Sequence, residues 1–186
     1  MQRNCRLGCS IIRRLLFISA VVVILLDACS GQSPSLAVVE PEEIGTIFAL
    51  DSATGALRPL PGEDWRHHNS TGWATTKVAN VVPGEHSTYR LTYGEKIEFI
   101  YRPLKDDDMR VVHLYAFRIS KGNRETIIYE HKGRNVQGNF YIPLTMTKYG
   151  TSSYKLTVTA PLEPGEYWVA SPGRDQVHTF GIDALH

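Results

Sequence analysis

Cysteine is scarce in this chain of 186 residues, which contains three, at positions 5, 9 and 29. Because no cysteine follows Cys29, the residues beyond it cannot form a disulfide with one another, even in an oxidising compartment. A domain built from those residues must take its stability from packing and hydrogen bonding. The lack of a cysteine pair also removes the usual thiolate metal site.

An excess of charge of either sign is also missing. The chain has 20 Lys and Arg residues against 19 Asp and Glu residues, which gives a formal net charge of +1. Nucleic-acid binding depends on a basic surface that neutralises phosphates, and no Lys/Arg cluster of that kind stands out in the sequence. We therefore expect no nucleic acid partner.

Catalytic and metal-binding motifs are absent as well. The sequence has no Gly-x-Ser-x-Gly nucleophile elbow, no His-Glu-x-x-His zinc motif and no phosphate-binding glycine loop. Three consecutive aspartates at 106–108 lack the spacing and the glycine of an EF-hand calcium loop. We expect a non-enzymatic protein without a cofactor or a metal ion. An enzyme whose site follows no recognised pattern is the alternative.

Long apolar runs are absent except near the N-terminus, where residues 15–26 form an apolar run of twelve residues. Four arginines and no acidic residue precede this run. A helix that crosses a bilayer needs about 20 apolar residues, whereas a basic segment followed by a short apolar run is typical of a secretory signal. Residues 1–28 are therefore predicted to direct export.

The end of this segment resembles the signal peptide of a bacterial lipoprotein. Leu26 lies three positions before Cys29 and Ala28 lies directly before it, as in that family, whereas Asp27 departs from the small or apolar residue that is usual there. The resemblance implies cleavage after residue 28 and attachment of lipid to Cys29. An ordinary cleaved signal and an uncleaved anchor are the alternatives.

The residue after Cys29 bears on the destination of such a lipoprotein. In Gram-negative lipoproteins an Asp at this position tends to retain the protein in the inner membrane, and here the residue is Ser30. Several acyl chains hold a protein durably on a membrane, whereas one chain gives only marginal binding. The resemblance implies a protein anchored through membrane lipid to the outer membrane, on its periplasmic face. The inner membrane and secretion are the alternatives.

Composition divides the rest of the chain into a tether and a domain. Residues 29–43 are mostly small and polar and contain proline, which is typical of a semi-extended linker. Residues 44–186 are predicted to form one domain, and a mature chain of 158 residues is long enough for a single core. Four arginines and Asp27 would leave with residues 1–28, so the formal net charge would fall from +1 to about −2.

Apolar residues in the domain recur with a period of two, which predicts β-strands with one solvated face. Residues 44–60 carry two such runs around Asp51 and Gly55, which predicts an N-terminal β-hairpin. Residues 111–119 are apolar on both faces and are predicted as the central strand of a sheet. Many short strands with Gly and Pro turns indicate an all-β fold, an immunoglobulin-like β-sandwich preceded by the small hairpin.

The remaining strands and turns follow from the same patterns. Strands are predicted at residues 75–82, 87–92, 97–101, 126–130, 139–143, 153–160, 166–170 and 176–182. Pro-Gly pairs at 61–62, 83–84 and 164–165 suit the central positions of type II turns. The core is predicted to contain Phe99, Leu114, Phe117, Leu156, Val158, Tyr167 and Val169.

The C-terminal run at residues 162–183 resembles the closing hairpin of uncharacterised bacterial exported β-sandwich proteins. These proteins end in a Pro-Gly-Glu-Tyr turn and strand and then a Phe-Gly-Val/Ile-Asp strand, which correspond here to residues 164–167 and 180–183. A looser likeness extends back to residues 78–87. The resemblance implies a fold and transfers no catalytic residue, because fold does not determine function.

Two indoles and two imidazoles lie within nine residues, at Trp65, His67, His68 and Trp73. Adjacent histidines on a strand point to opposite faces, so a shared metal ion is not expected. Exposed Trp is favoured at interaction hot spots, and these four residues are the candidate contact surface. The alternative is a polar loop whose tryptophans cap the core.

These observations favour an interaction or scaffold module in a complex of the bacterial envelope, with an envelope protein as partner. Confinement to a membrane raises the effective concentration of such a module for membrane-bound partners. Binding of cell-wall or surface glycans through exposed aromatic residues is the alternative from another class. A concave aromatic strip would favour the glycan alternative, whereas burial of Trp65 and Trp73 would weaken it.

Overall fold

The computed structural model describes residues 38–73, 75–133, 135–138, 141–172 and 175–185, of which 135–138 are described by their backbone alone. The predicted signal peptide, Cys29 and most of the predicted tether lie outside these residues. The described part of the chain is an all-β sandwich, as predicted, and it contains no α-helix. None of its helical segments has the length and apolar character that crossing a membrane requires.

Short strands make up most of the described chain, and one 3-10 turn interrupts them at Met109–Val111. In chain order the strands are β1 (Ile47–Leu50), β2 (Leu57–Pro59), β3 (Gly62–Asp64), β4 (Arg66–Thr71), β5 (Thr75–Pro83), β6 (Arg90–Thr92), β7 (Glu98–Tyr101), β8 (His113–Ala116), β9 (Arg118–Ser120), β10 (Asn123–Lys132), β11 (Asn135–Gly138), β12 (Tyr141–Ile142), β13 (Leu144–Tyr149), β14 (Ser153–Val158), β15 (Gly165–Ala170) and β16 (Gln176–Asp183).

The strands form three sheets, which we call A, B and C. Sheet A has the strand order β13-β14-β7-β1-β2 and is antiparallel throughout. Sheet B has the order β12-β8-β15-β16-β3, and β6 runs parallel to part of β16. Sheet C has the order β11-β10-β5-β4, with β9 also paired to β10.

The main core fills the space between sheets A and B. Most of its buried side chains come from alternate positions of strands in both sheets, which is the period-two pattern read from the sequence, and three, at positions 60, 112 and 162, come from connecting segments. They are Ile47, Ala49, Leu60, Phe99, Tyr101, Val112, Leu114, Leu156, Leu162, Tyr167, Val169, Phe180 and Ile182.

A second, smaller core lies between sheets B and C. Its buried residues are Val82, Tyr115, Trp168 and Val177. Trp168 lies between two residues of the main core on β15, and Tyr115 follows one on β8, so these strands bury both of their faces. Sheet B is therefore the middle layer of the fold.

The predicted hairpin and central strand are both present in the structure. Strands β1 and β2 form an antiparallel hairpin, and β1 also pairs with β7, so the hairpin is part of sheet A. Strand β8 lies between β12 and β15 in sheet B. The central strand is shorter than residues 111–119, because its start belongs to the 3-10 turn and its end belongs to β9 of sheet C.

Two of the three predicted type II turns are wrong. Gly84 has the positive φ of 81° that such a turn requires, whereas Gly62 and Gly165 are not among the glycines with positive φ. Both residues begin strands, β3 and β15, that pair with β16. Strand pairing therefore determines their conformation.

The predicted core is confirmed in five of its seven residues. Phe99, Leu114, Leu156 and Val169 are fully buried and Tyr167 is 6% exposed. The other two, Phe117 and Val158, are partly buried and pack against the second and the main core respectively.

We expect Leu114→Ala and Leu156→Ala each to lower the free energy of unfolding by about 2–5 kcal/mol, because a buried side chain is lost and a cavity remains. Urea denaturation of the purified variants measures the change. Leu104→Ala is the control, since Leu104 is 47% exposed, and it is expected to stay within about 0.5 kcal/mol of the wild type. A loss below about 0.5 kcal/mol in both core variants would contradict the strand assignment.

Candidate functional site

The segment with the four candidate contact residues contains a strand at the edge of sheet C. Strand β4 pairs with β5 in register from Arg66 opposite Val81 to Thr71 opposite Thr76, and no other strand of the described chain pairs with its free side. All six of its residues are exposed. The alternative prediction of a polar loop is therefore wrong for Arg66–Thr71, which is a two-sided polar edge strand.

Trp73 lies in the turn between β4 and β5. The turn begins where the Gly72 amide donates a 2.7 Å hydrogen bond to the Thr75 carbonyl. The Trp73 side chain is 105% exposed, so it makes no packing contact that would explain its size. A large apolar ring that is left in water is a feature of contact sites.

Trp65 has a different position, at the other end of β4. It is partly buried and packs against the second core. Its ring makes an edge-to-face contact with the His67 ring at 4.6 Å between centroids. A strand of six residues spans about 20 Å, so the structure separates the two tryptophans and does not assemble them into one platform.

The two adjacent histidines point to opposite faces of sheet C, as expected. His67 contacts Trp65 on the face that packs on sheet B, whereas His68 lines a groove on the outer face with Lys77 and Val81. In the part of the chain that the structure describes, no three His, Cys, Asp or Glu side chains are grouped closely enough to hold a metal ion.

A buried ion pair joins sheet C to sheet B behind this surface. Arg124 of β10 is the largest fully buried side chain among the described residues, with 1% exposure. Its guanidinium donates to both carboxylate oxygens of Glu63 on β3. It also donates to the carbonyls of Pro83 and Gly84, at 3.0 and 3.2 Å. Its Cζ lies 5.6 Å from the centre of the Phe117 ring.

The network continues from Glu63 into the middle sheet. The Thr179 hydroxyl donates to Glu63 and lies 2.9 Å from the Ser87 hydroxyl. The Ser87 amide donates to the Glu166 carboxylate at 2.8 Å, and Glu166 is 5% exposed. The polar side chains that link β3, β16, the turn after β5 and β15 are therefore all hydrogen-bonded. They are those of Glu63, Thr179, Ser87 and Glu166.

Arg90 completes the network at the edge of sheet B. It donates to the Glu166 carboxylate and to Asp183 of β16. The Arg90 guanidinium lies against Gly181, so a side chain at this position of β16 would displace the end of Arg90 from its carboxylate partners. The ion pairs raise the pKa of Arg90, with the Asp183 hydrogen bond as the largest cause.

A pocket of about 490 Å³ on the other side of the fold brings a serine and a carboxylate together. The Ser52 hydroxyl donates to Glu98 at 2.7 Å. Burial raises the pKa of Glu98, but hydrogen bonds from Lys96, Ser52 and Lys155 outweigh burial and lower the pKa to about 2. A carboxylate with so low a pKa is a weak base at neutral pH. The arrangement is suited to a permanent ion pair and not to activation of Ser52.

No protein-family model matches the chain, and neither a curated protein nor a solved structure does.

Sequence reasoning missed the buried polar network and the outer groove. Arg124 and Glu63 are 61 residues apart, and neither has an unusual local pattern. The groove draws basic residues from three strands and one turn, so no cluster is visible in the sequence. The exposed polar run of β4 has no apolar period, which is the signal that identifies most strands.

Proposed function

We propose that this chain is a lipid-anchored, non-enzymatic β-sandwich that contacts another envelope protein through the β4–β5 hairpin. The observation that carries the proposal is the full exposure of Trp73 at the tip of a hairpin whose edge strand is also fully exposed. Burying one Trp ring at an interface is a large favourable term, and Trp is enriched among residues that dominate binding. The free edge of β4 adds unpaired backbone groups that a partner strand can complete.

Lipid on Cys29 would hold the domain at the outer membrane, on its periplasmic face. Of the predicted tether at 29–43, Glu40 is held by the turn between β13 and β14: its carboxylate accepts from the Ser152 amide at 2.8 Å and from the Ser152 and Ser153 hydroxyls. Hydrogen bonds from Thr151 and Ser152 are the largest causes that lower the pKa of Glu40 to about 2. The tether between the lipid and the domain would then consist of residues 29–39.

This attachment favours access to the hairpin. Eleven extended residues reach at most about 40 Å, and they join the domain at sheet A. The β4–β5 hairpin belongs to sheet C, and sheet B lies between the two. Anchoring through sheet A therefore leaves the hairpin free to meet a partner. The glycan alternative has less support, because Trp65 packs into the second core and is not available to form an aromatic strip with Trp73.

We expect Trp73→Ala to abolish recovery of the partner proteins that co-purify with the acylated wild type, while the melting temperature changes by less than about 2 °C. Trp65→Ala should act in the opposite way and lower the free energy of unfolding by about 2 kcal/mol, because it removes part of the second core. Leu104→Ala is the control for loss of an exposed apolar side chain. Unfolding of the Trp73→Ala protein, or recovery of every wild-type partner with it, would contradict the proposed contact.

The anchor has its own test. We expect Cys29→Ala to move the protein from the membrane fraction to the soluble periplasm or to leave an uncleaved precursor, and fractionation with acyl labelling distinguishes these results. Ser30→Asp should shift the protein from the outer to the inner membrane. Unchanged membrane association of Cys29→Ala, without an acyl-labelled wild-type species, would remove the anchor from the proposal.

A further inference from the structure

The outer face of sheet C carries a groove of about 430 Å³. This face is opposite the second core. The strand register places Arg66 of β4 beside Val81 of β5, Val81 beside Glu125 of β10, and Glu125 beside Arg118 of β9. Four strands therefore contribute one row of side chains, with Val81 as the buried floor and an arginine at each rim.

The groove is strongly basic although the chain as a whole is close to neutral. Its charged lining residues are Arg66, Lys77, Arg118, Lys121 and the single acid Glu125, which gives a formal charge of +3 with His68 neutral. Like charges held together on one face repel each other, and a bound anion removes that cost. Folding stability alone therefore does not favour the grouping of these basic residues in one groove.

The one acidic residue fixes part of this lining. Glu125 accepts from Lys77 at 2.8 Å and from Arg118 at 3.1 Å. Burial raises the pKa of Glu125, but the hydrogen bonds from Lys77 and Arg118 outweigh burial and lower it. In the described chain no carboxylate pairs with Arg66 or Lys121, so these two cations remain available to a ligand.

The backbone at Lys121 is unusual. Lys121 and Gly122 form the two-residue turn between β9 and β10, with φ of 51° and 76°. Lys121 is the one non-glycine residue of the described chain with a positive φ. A two-residue hairpin turn favours a positive φ at both central residues, and a lysine in this conformation costs stability that glycine would not. The Asn123 amide donates to the Lys121 carbonyl at 3.0 Å and holds the turn.

We propose that this groove binds a phosphate group. Guanidinium forks match the non-bridging oxygens of a phosphate monoester or diester, and the basic side chains at the two rims suit an anion held between them. Arg66 and Lys121 supply the free charges, and the Ser70 and Ser120 hydroxyls and the Asn123 amide supply neutral donors in the same lining. The phosphate can belong to a soluble molecule or to the headgroup of an anionic lipid. The inference requires neither the lipid anchor nor a protein partner at Trp73.

Pyrophosphate and lipid are the probes that separate these sources. Isothermal titration calorimetry is performed on the full-length protein in neutral detergent at low salt, with pyrophosphate added in one arm. In the other arm the micelles are doped with phosphatidylglycerol or with phosphatidylcholine. Heat with pyrophosphate indicates a soluble phosphate ligand, and heat with phosphatidylglycerol but not pyrophosphate or phosphatidylcholine indicates a headgroup.

Substitutions inside and outside the groove test whether the binding occurs there. Arg66→Gln and Lys121→Gly are each expected to weaken binding roughly tenfold or more, since each removes a charge-assisted hydrogen bond. Lys121→Gly should also keep or raise the melting temperature, because glycine suits the positive φ. Lys105→Gln, in an exposed loop outside the groove, is the matched control and is expected to bind as the wild type does.

Three results would overturn the proposal. The first is the absence of heat with both pyrophosphate and phosphatidylglycerol. The second is equal weakening in Lys105→Gln, which would indicate attraction to the whole protein. The third is wild-type affinity for the probe in both the Lys121→Gly and the Arg66→Gln proteins, when both are folded.

Discussion

The buried ion pair between Arg124 and Glu63 is the interaction on which the rest of the structure depends. Burying a guanidinium is costly unless its charge and its donors are satisfied. Here the carboxylate neutralises the charge, and the Pro83 and Gly84 carbonyls accept two further hydrogen bonds. The left-handed Gly84, with φ of 81°, sets the turn that presents those carbonyls. Sheets B and C are therefore joined by a polar link as well as by the small second core.

The link reaches from Arg124 to the edge of the middle sheet. Glu63 accepts a hydrogen bond from Thr179, whose hydroxyl also bonds to that of Ser87. The Ser87 amide donates to Glu166, which in turn accepts from Arg90. The same set of bonds holds β3, which precedes β4 of the proposed contact hairpin, and β10, which pairs with β5 and lines the basic groove. A shift of sheet C relative to sheet B would leave Arg124 or Glu63 buried without its partner. Of the four buried residues of the second core, Val82 is the one that comes from sheet C, so the ion pair is a large part of the contact between these layers.

Sequence patterns predict the strands that have an apolar face. They fail for strands without apolar alternation. Strands β7, β14, β15 and β16 alternate or are apolar on both faces, and they are where they were expected. Strand β4 is an exposed edge strand with polar residues on both faces, so no apolar alternation marks it as a strand in the sequence. Strand β13 was missed although Leu144 and Met146 alternate with threonines, which is a signal that could have found it. The ion pair and the groove depend on contacts between distant residues, which no local pattern records.

The most direct test of the role of the ion pair is a double-mutant cycle in urea denaturation with Arg124→Met and Glu63→Gln. Arg124→Met alone should cost about 3–5 kcal/mol, because it leaves a carboxylate largely buried without its cation. The double variant should be less destabilised than the sum of the single variants, with a coupling energy of about 2 kcal/mol or more. Additive effects within about 0.5 kcal/mol, or a cost of Arg124→Met below about 1 kcal/mol, would contradict the claim that this pair holds the layers together.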